Sequence, residues 1–79
     1  MTTSTKRIIA YHIARLQDKN RDVRLKSIAE LILLPDRDSL DALKQVVEKD
    51  SDNEVRRAAL EAGRTIFLHL KQQEAVNKS

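Results

Sequence analysis

Apolar residues recur along most of this chain at the three-to-four-residue spacing of an amphipathic helix. The recurrence predicts four helices, and Pro35 ends the second, because proline disfavours helical geometry in the residue before it. The polar tail that follows the fourth helix is predicted to fray. The predicted helices cover about residues 5–17, 21–34, 38–49 and 51–71, and the tail covers residues 72–79.

Polar residues suited to helix capping precede three of the four helices. Asn20 is placed to cap the second helix, and either Asp38 or Ser39 is placed to cap the third. Ser51 and Glu54 have the spacing of a capping box at the start of the fourth helix. These residues predict where three of the helices begin.

An internal repeat relates the two halves of the chain. Residues 18–34 align with residues 50–66 at an offset of 32. The repeat predicts a single domain over residues 1–79, with a first unit at about residues 5–34 and a second at about residues 38–71. The identical pairs are Asp18 and Asp50, Val23 and Val55, and Arg24 and Arg56.

The repeated junction resembles that of the HEAT-repeat family, in particular the short HEAT-like repeats named after phycobilisome lyases. The similarity covers about residues 8–70 and is most specific over residues 55–64. Lys26, Ser27 and Glu30 depart from the pattern, since small apolar residues are usual at these positions. The resemblance implies an all-α fold of two stacked antiparallel helical hairpins, four helices in all, that form a short α-solenoid.

The resemblance also implies a role for the repeated residues. In the family, an Asp in the turn and an Arg in the second helix form a ladder that ties one repeat to the next. The repeated polar residues are therefore expected to be structural rather than an acid–base pair. The predicted repeat junction comprises Asp18, Val23, Arg24, Asp50, Val55 and Arg56.

The helical stripes separate core positions from outer positions on the second helix of each unit. The predicted core residues are Val23, Leu31, Leu34, Val55, Ala59, Ala62 and Ile66. The outer positions are mostly polar in the second unit but apolar in the first, which leaves two interpretations open: ordinary core, or a groove for a partner. The candidate protein-binding residues are Leu25, Ala29, Ile32, Leu33, Arg57, Glu61 and Arg64.

Composition supports a small all-α domain. The chain has 79 residues, 41% hydrophobic and 34% charged, with one Gly and one Pro, which leaves little material for β-turns. It has no cysteine, so a disulfide framework and thiolate metal sites are excluded. The sequence shows neither a signal-peptide pattern nor a run of the roughly 20 apolar residues that a membrane span needs, and it predicts a cytoplasmic protein.

The residues that carry catalytic or metal chemistry are few and scattered. His12 and His69 have no second ligand at helical spacing. Asp36 and its acidic neighbours lack the glycine and the distal glutamate of a calcium loop, so helix capping is favoured. Gly63, the sole glycine, is predicted to let two helices approach closely. The sequence predicts no enzyme, no cofactor and no metal site.

The remaining question is the class of partner. Residues 1–40 hold eight Lys and Arg against five Asp and Glu, whereas residues 41–79 hold seven of each. The net charge of +3 is modest, and Tyr11 and Phe67 are the only aromatic residues. The sequence therefore favours another protein or self-association over a nucleic acid bound by a basic helical surface. The resemblance to the phycobilisome-lyase type implies an antenna-related adaptor as one such role.

Overall fold

The computed structural model of the chain describes the backbone of residues 3–78 and the side chains of residues 4–76. Four α-helices occupy nearly all of that range, and no strand occurs within it, which confirms the all-α class. The helices are α1 (Thr3–Arg15), α2 (Arg21–Leu33), α3 (Arg37–Lys49) and α4 (Asn53–Lys78). In the first hairpin α1 packs against α2, in the second α3 packs against α4, and α2 packs against α4 to join them.

Two of the predicted helix starts differ in detail from the structure. Asn20 caps α2 as predicted, and its side chain accepts a 2.8 Å hydrogen bond from the N–H of Asp22. The cap of α3 is Asp36, which accepts a 2.8 Å bond from the N–H of Asp38, so neither Asp38 nor Ser39 is the cap. Because Asp36 is itself extended, the helix begins directly after it, and Ser39 is buried inside the first turn.

The start of α4 is also capped by a different residue from the one predicted. Asp52, not Ser51, accepts the free N–H groups of the first turn, at 2.9 Å from Glu54 and 3.0 Å from Val55. Asp50 accepts the N–H of Asp52 at 2.9 Å and so holds the turn in place. Asp50 and Asp52 therefore take the place of the predicted capping box.

The core lies between the two hairpins and draws on all four helices. Val23 was predicted to belong to it but is only half-buried and lines a hollow beside Tyr11 and Arg15 instead. Leu34 is half-buried and packs against the edge of the core. Val23 differs from the prediction because of the orientation of α2 about its own axis. The helix directs Ile28 and Leu31 inwards, which places Val23 towards the outer side of the first hairpin. The buried core comprises Ile9, Leu16, Ile28, Leu31, Leu43, Val46, Val55, Ala59, Ala62 and Ile66.

Helix α4 is twice as long as each of the other three. It has 26 residues against 13 and continues to Lys78, so the predicted polar tail is helical over residues 72–78. Gln, Glu, Ala and Lys dominate this segment, and it holds neither a proline nor a glycine to stop the helix. The polar tail is therefore an extension of α4, except for residue 79, which lies outside the described residues.

An ion pair ties the first helix to the start of the third. Nζ of Lys6 lies 2.8 Å from Oδ2 of Asp36 and 3.4 Å from Oδ2 of Asp38. Burial by itself raises the pKa of the Asp36 carboxyl, but the bonds from Lys6 and from the N–H of Asp38 outweigh it, and the pKa lies below its usual value of 3.8. The bonds from Lys6 to the carboxylates of Asp36 and Asp38 raise the pKa of Lys6. Asp36 thus both caps α3 and holds α1 against it.

The depressed pKa of Asp36 predicts an acid-sensitive contribution to stability. A carboxyl whose folded-state pKa is below its unfolded-state pKa stabilises the fold above the unfolded value, and this contribution is lost as the pH falls through the folded value. Asp36→Asn keeps a good capping acceptor but removes the charge. We expect the variant to be less stable than the wild type at pH 7 and to lose less stability below about pH 4 in urea titrations. Parallel pH profiles for the two proteins would contradict this role.

Candidate binding surface

The turn inside each hairpin is organised by an aspartate in the same way. Oδ1 of Asp18 accepts the N–H of Asn20 at 2.9 Å, and Oδ1 of Asp50 accepts the N–H of Asp52 at 2.9 Å. The two residues lie 32 positions apart, so the repeat seen in the sequence corresponds to a repeated turn. The second carboxylate oxygen of Asp50, Oδ2, faces Arg24.

Arg24 of α2 joins the two turns. Its Nε lies 2.9 Å from Oδ2 of Asp50, and its Nη2 donates to Oδ1 at 3.2 Å. Its Nη1 donates to the backbone oxygens of Asp18 and Lys19, at 2.8 and 3.2 Å. The side chains of Arg24 and Asp50 are only 13% and 7% exposed, so the contact between the guanidinium and the carboxylate is largely removed from water.

Arg21 forms a second link one helical turn earlier, which the sequence did not predict. Its Nε lies 2.9 Å from Oδ2 of Asp52 and its Nη2 lies 2.9 Å from Oε1 of Glu54, while Nη1 contacts Asp22 at 3.2 Å. The bond from Arg21 is the main reason why the pKa of Asp52 is lowered, and the bond to Asp52 is the main reason why the pKa of Arg21 is raised. The available signal was the three-residue spacing of Arg21 and Arg24, which places them on one helix face.

Arg56 occupies the position of Arg24 in the second hairpin but makes a different contact. Arg24 reaches the turn of the following hairpin, whereas Arg56 donates to Oδ1 of Asn53 within its own helix. Within residues 3–78 the Asp–Arg ladder implied by the resemblance thus forms one link between hairpins, from Arg24 to Asp50. Val55, the last member of the predicted junction, is fully buried in the core.

The apolar outer positions of α2 divide into two groups. Leu25 and Ile32 are half-buried and pack against the core. Ala29 is exposed, and Leu33 is 72% exposed. The stripe spans the edge between the buried and the solvent-facing sides of the helix, so Leu25 and Ile32 fit the interpretation as core. Binding of a partner by Ala29 and Leu33 stays a prediction.

The candidate residues of α4 are all on the surface. Arg57, Glu61 and Arg64 are exposed. Arg64 differs from the other two because it lines an apolar groove between α3 and α4, together with Leu60 and Phe67. The structure therefore does not gather the seven candidate residues into one site.

This α3–α4 groove is a surface feature that the sequence did not predict as a site. It has a volume of about 340 Å³ and lies between Leu40, Lys44 and Val47 on α3 and Leu60, Arg64 and Phe67 on α4. Gly63 also lines it, and a methyl group added at Gly63 would meet no atom within 4 Å. The prediction that Gly63 lets two helices approach closely is therefore wrong, because the space beside it is open.

The described residues offer little for catalysis or metal binding. No group of three or more His, Asp or Glu residues within the described part of the chain is arranged to hold a metal ion. The ring of His12 lies edge-on to that of Tyr11, with ring centres 5.2 Å apart, and His69 is exposed on α4. Among the described helices, none is long and apolar enough to cross a membrane.

Comparison with known families agrees with this architecture. A family model described as HEAT repeats matches residues 5–77, which is nearly the whole chain. The chain belongs to the HEAT-repeat family. No curated protein and no solved structure matches this HEAT-repeat protein. HEAT repeats are generally protein-interaction modules and typically non-catalytic scaffolds. The matched model describes HEAT repeats in general, so the phycobilisome-lyase type remains a prediction.

The link between the hairpins predicts unequal effects for two equivalent arginines. Arg24→Ala leaves the buried carboxylate of Asp50 without its partner, and we expect a loss of about 2–4 kcal/mol in the free energy of unfolding. Arg56→Ala removes a contact within a single helix and should cost less than about 1 kcal/mol. Urea denaturation of both variants measures the difference. Equal losses would show that Arg24 does not join the hairpins.

Proposed function

We propose that this HEAT-repeat protein is a non-enzymatic protein-binding module that acts as a small adaptor or scaffold. The observation that supports it is the exposed apolar surface of the two second helices. Leu33 on α2 and Leu60, Phe67 and Leu68 on α4 are between 41% and 72% exposed. Leu60 and Phe67 lie together along one apolar groove, and a contiguous apolar patch of this kind is typical of a surface that another protein covers.

The exposed side of α4 carries charges of both signs. Arg57, Glu61 and Arg64 are interleaved on the exposed side of α4. Such a mixture is typical of the rim of a protein interface, where charges set orientation and partner choice more than affinity. The candidate protein-binding residues that we propose lie in two places: Ala29 and Leu33 on α2, and Leu60, Phe67 and Leu68 on α4 with these three charged residues.

The proposal has three finer parts: self-association, a cytoplasmic location and an antenna-related role. Self-association remains a proposal based on the exposed apolar residues. A cytoplasmic location is supported by the lack of cysteine, since the chain needs no oxidising compartment. An antenna-related role rests only on the resemblance to the phycobilisome-lyase type, and no feature of the described surface adds to it.

A nucleic-acid-binding accessory protein is the alternative, with phosphates bound by a basic helical surface. The contacts of the arginines weigh against it. Arg21 is held by Asp52 and Glu54, and Arg24 is held by Asp50, so these two guanidinium groups are already paired within the chain. Protein binding is therefore the function that the geometry supports best.

Partner capture and DNA binding together test the proposal. In crosslinking and affinity purification from the native host, we expect the wild type to retain a stoichiometric partner, and Leu33→Asp or Leu60→Asp to reduce its recovery at least about fivefold. Ile8→Asp is the matched control, because Ile8 is a 48% exposed apolar residue on α1. With random-sequence duplex DNA we expect no binding tighter than about 100 μM at physiological salt.

Two results would contradict protein binding. One is the absence of any stoichiometric protein partner for the wild type. The other is micromolar affinity for the DNA duplex that falls steeply as the salt concentration rises, because release of counterions from phosphates is the signature of a nucleic-acid interface.

A further inference from the structure

The second hairpin leaves uncovered a face that the first hairpin buries. Ile28 on α2 is 2% exposed, whereas Leu60, its counterpart 32 residues later on α4, is 41% exposed. Both are large aliphatic residues, so the difference comes from their surroundings: α2 has the second hairpin packed against it. The corresponding surface of the second hairpin is the α3–α4 groove.

The opposite end of the stack is polar, which argues against end-to-end stacking of two copies. Lys26 is exposed and Glu30 is half-buried on α2. The counterparts of these residues on α4 are Ala58 and Ala62, which pack in or against the core. A second copy stacked in the same direction would bring Lys26 and Glu30 onto the apolar groove, where burial of unpaired charges is unfavourable.

The charges at the groove argue against a two-fold dimer through this face. Lys44 and Arg64 are exposed, and they are the two charged residues that line the groove. Lys71 lies one turn beyond, with its Nζ 5.9 Å from the centre of the Phe67 ring. Two copies facing each other would bring these basic groups together, whereas a partner with carboxylates would neutralise them.

The shape of the groove selects a helix rather than a flat surface. Its walls are two helices, and the stretches from Leu40 to Val47 and from Leu60 to Phe67 each rise about 10 Å, or two helical turns. Gly63 contributes no side chain to the floor and leaves room for an inserted residue. An apolar stripe of two turns fits this space in the way that amphipathic helices bind grooves.

We infer that the α3–α4 groove binds an amphipathic helix of another protein, with the apolar stripe against Leu60 and Phe67 and with Asp or Glu residues beside Lys44 and Arg64. The inference rests on the proposed function and specifies one partner class for it. The groove contributes the apolar contact area, and the basic residues at its edges select acidic over basic helices.

Two synthetic helices provide the test. Both have about 16 residues and carry leucines at i, i+3 and i+7, flanked by glutamates in one peptide and by lysines in the other. Fluorescence anisotropy with the full chain should show the acidic peptide binding at least about tenfold more tightly, with a difference that shrinks as salt is added. Circular dichroism of each protein variant checks that it is folded.

Matched variants locate the binding site. Gly63→Leu fills the floor of the groove without replacing a packed side chain, so we expect a folded protein with at least about tenfold weaker binding. Arg64→Glu should abolish the preference for the acidic peptide, whereas Arg7→Glu, exposed on α1 and outside the groove, should leave it within about twofold. Leu33→Gln should not affect either peptide.

Several outcomes would overturn the inference. Equal affinity for the two peptides, or binding that Leu33→Gln weakens and Gly63→Leu does not, would place the site elsewhere. A wild-type dimer that Gly63→Leu dissociates in light scattering would assign the groove to a second copy. Binding to phosphatidylserine vesicles that Gly63→Leu abolishes would assign the groove to a membrane surface. In each case, a partner whose recovery depends on Leu33 would leave the proposed protein-binding function standing.

Discussion

A helical hairpin has more apolar surface than it can bury alone. In this chain the packing of α2 against α4 covers part of the apolar surface that each hairpin leaves. Ile28 and Leu31 on α2 meet a core that Val55, Ala59 and Ile66 extend from α4. Every other surface follows from that contact, since it decides which side of each helix remains in solvent.

The electrostatic links are placed at the same junction and depend on it. Arg24 reaches Asp50, and Arg21 reaches Asp52, only because α2 lies beside the start of α4. Asp50 and Asp52 also hold the turn and the first free N–H groups of α4. The link between hairpins and the start of the fourth helix are therefore one structure, and the repeated aspartates and arginines contribute to architecture rather than to chemistry.

The sequence predicted the four helices and the repeat because these depend on local spacing, and the resemblance of the repeated junction indicated the family. The sequence predicted less of the surface. Val23 aligns with Val55, yet Val55 is buried between hairpins and Val23 lies at the outer side of the stack, where no described hairpin covers it. Leu25 and Leu33 share a stripe but differ in burial for a similar reason. Aligned positions in a repeat are equivalent in their own hairpin and not in their neighbours, and an offset of 32 carries no information about neighbours.

Ile28 is buried where the two hairpins meet, whereas the equivalent Leu60 is open on the second hairpin. Because the chain has no cysteine, Ile28→Cys and Leu60→Cys each introduce a single reactive thiol. Thiol-labelling rates under native conditions compare the two positions directly. The account predicts labelling of the Leu60 variant within about tenfold of the rate of a free thiol, and labelling of the Ile28 variant at least about a hundredfold slower, limited by opening of the fold. Equal rates in two folded variants would contradict it.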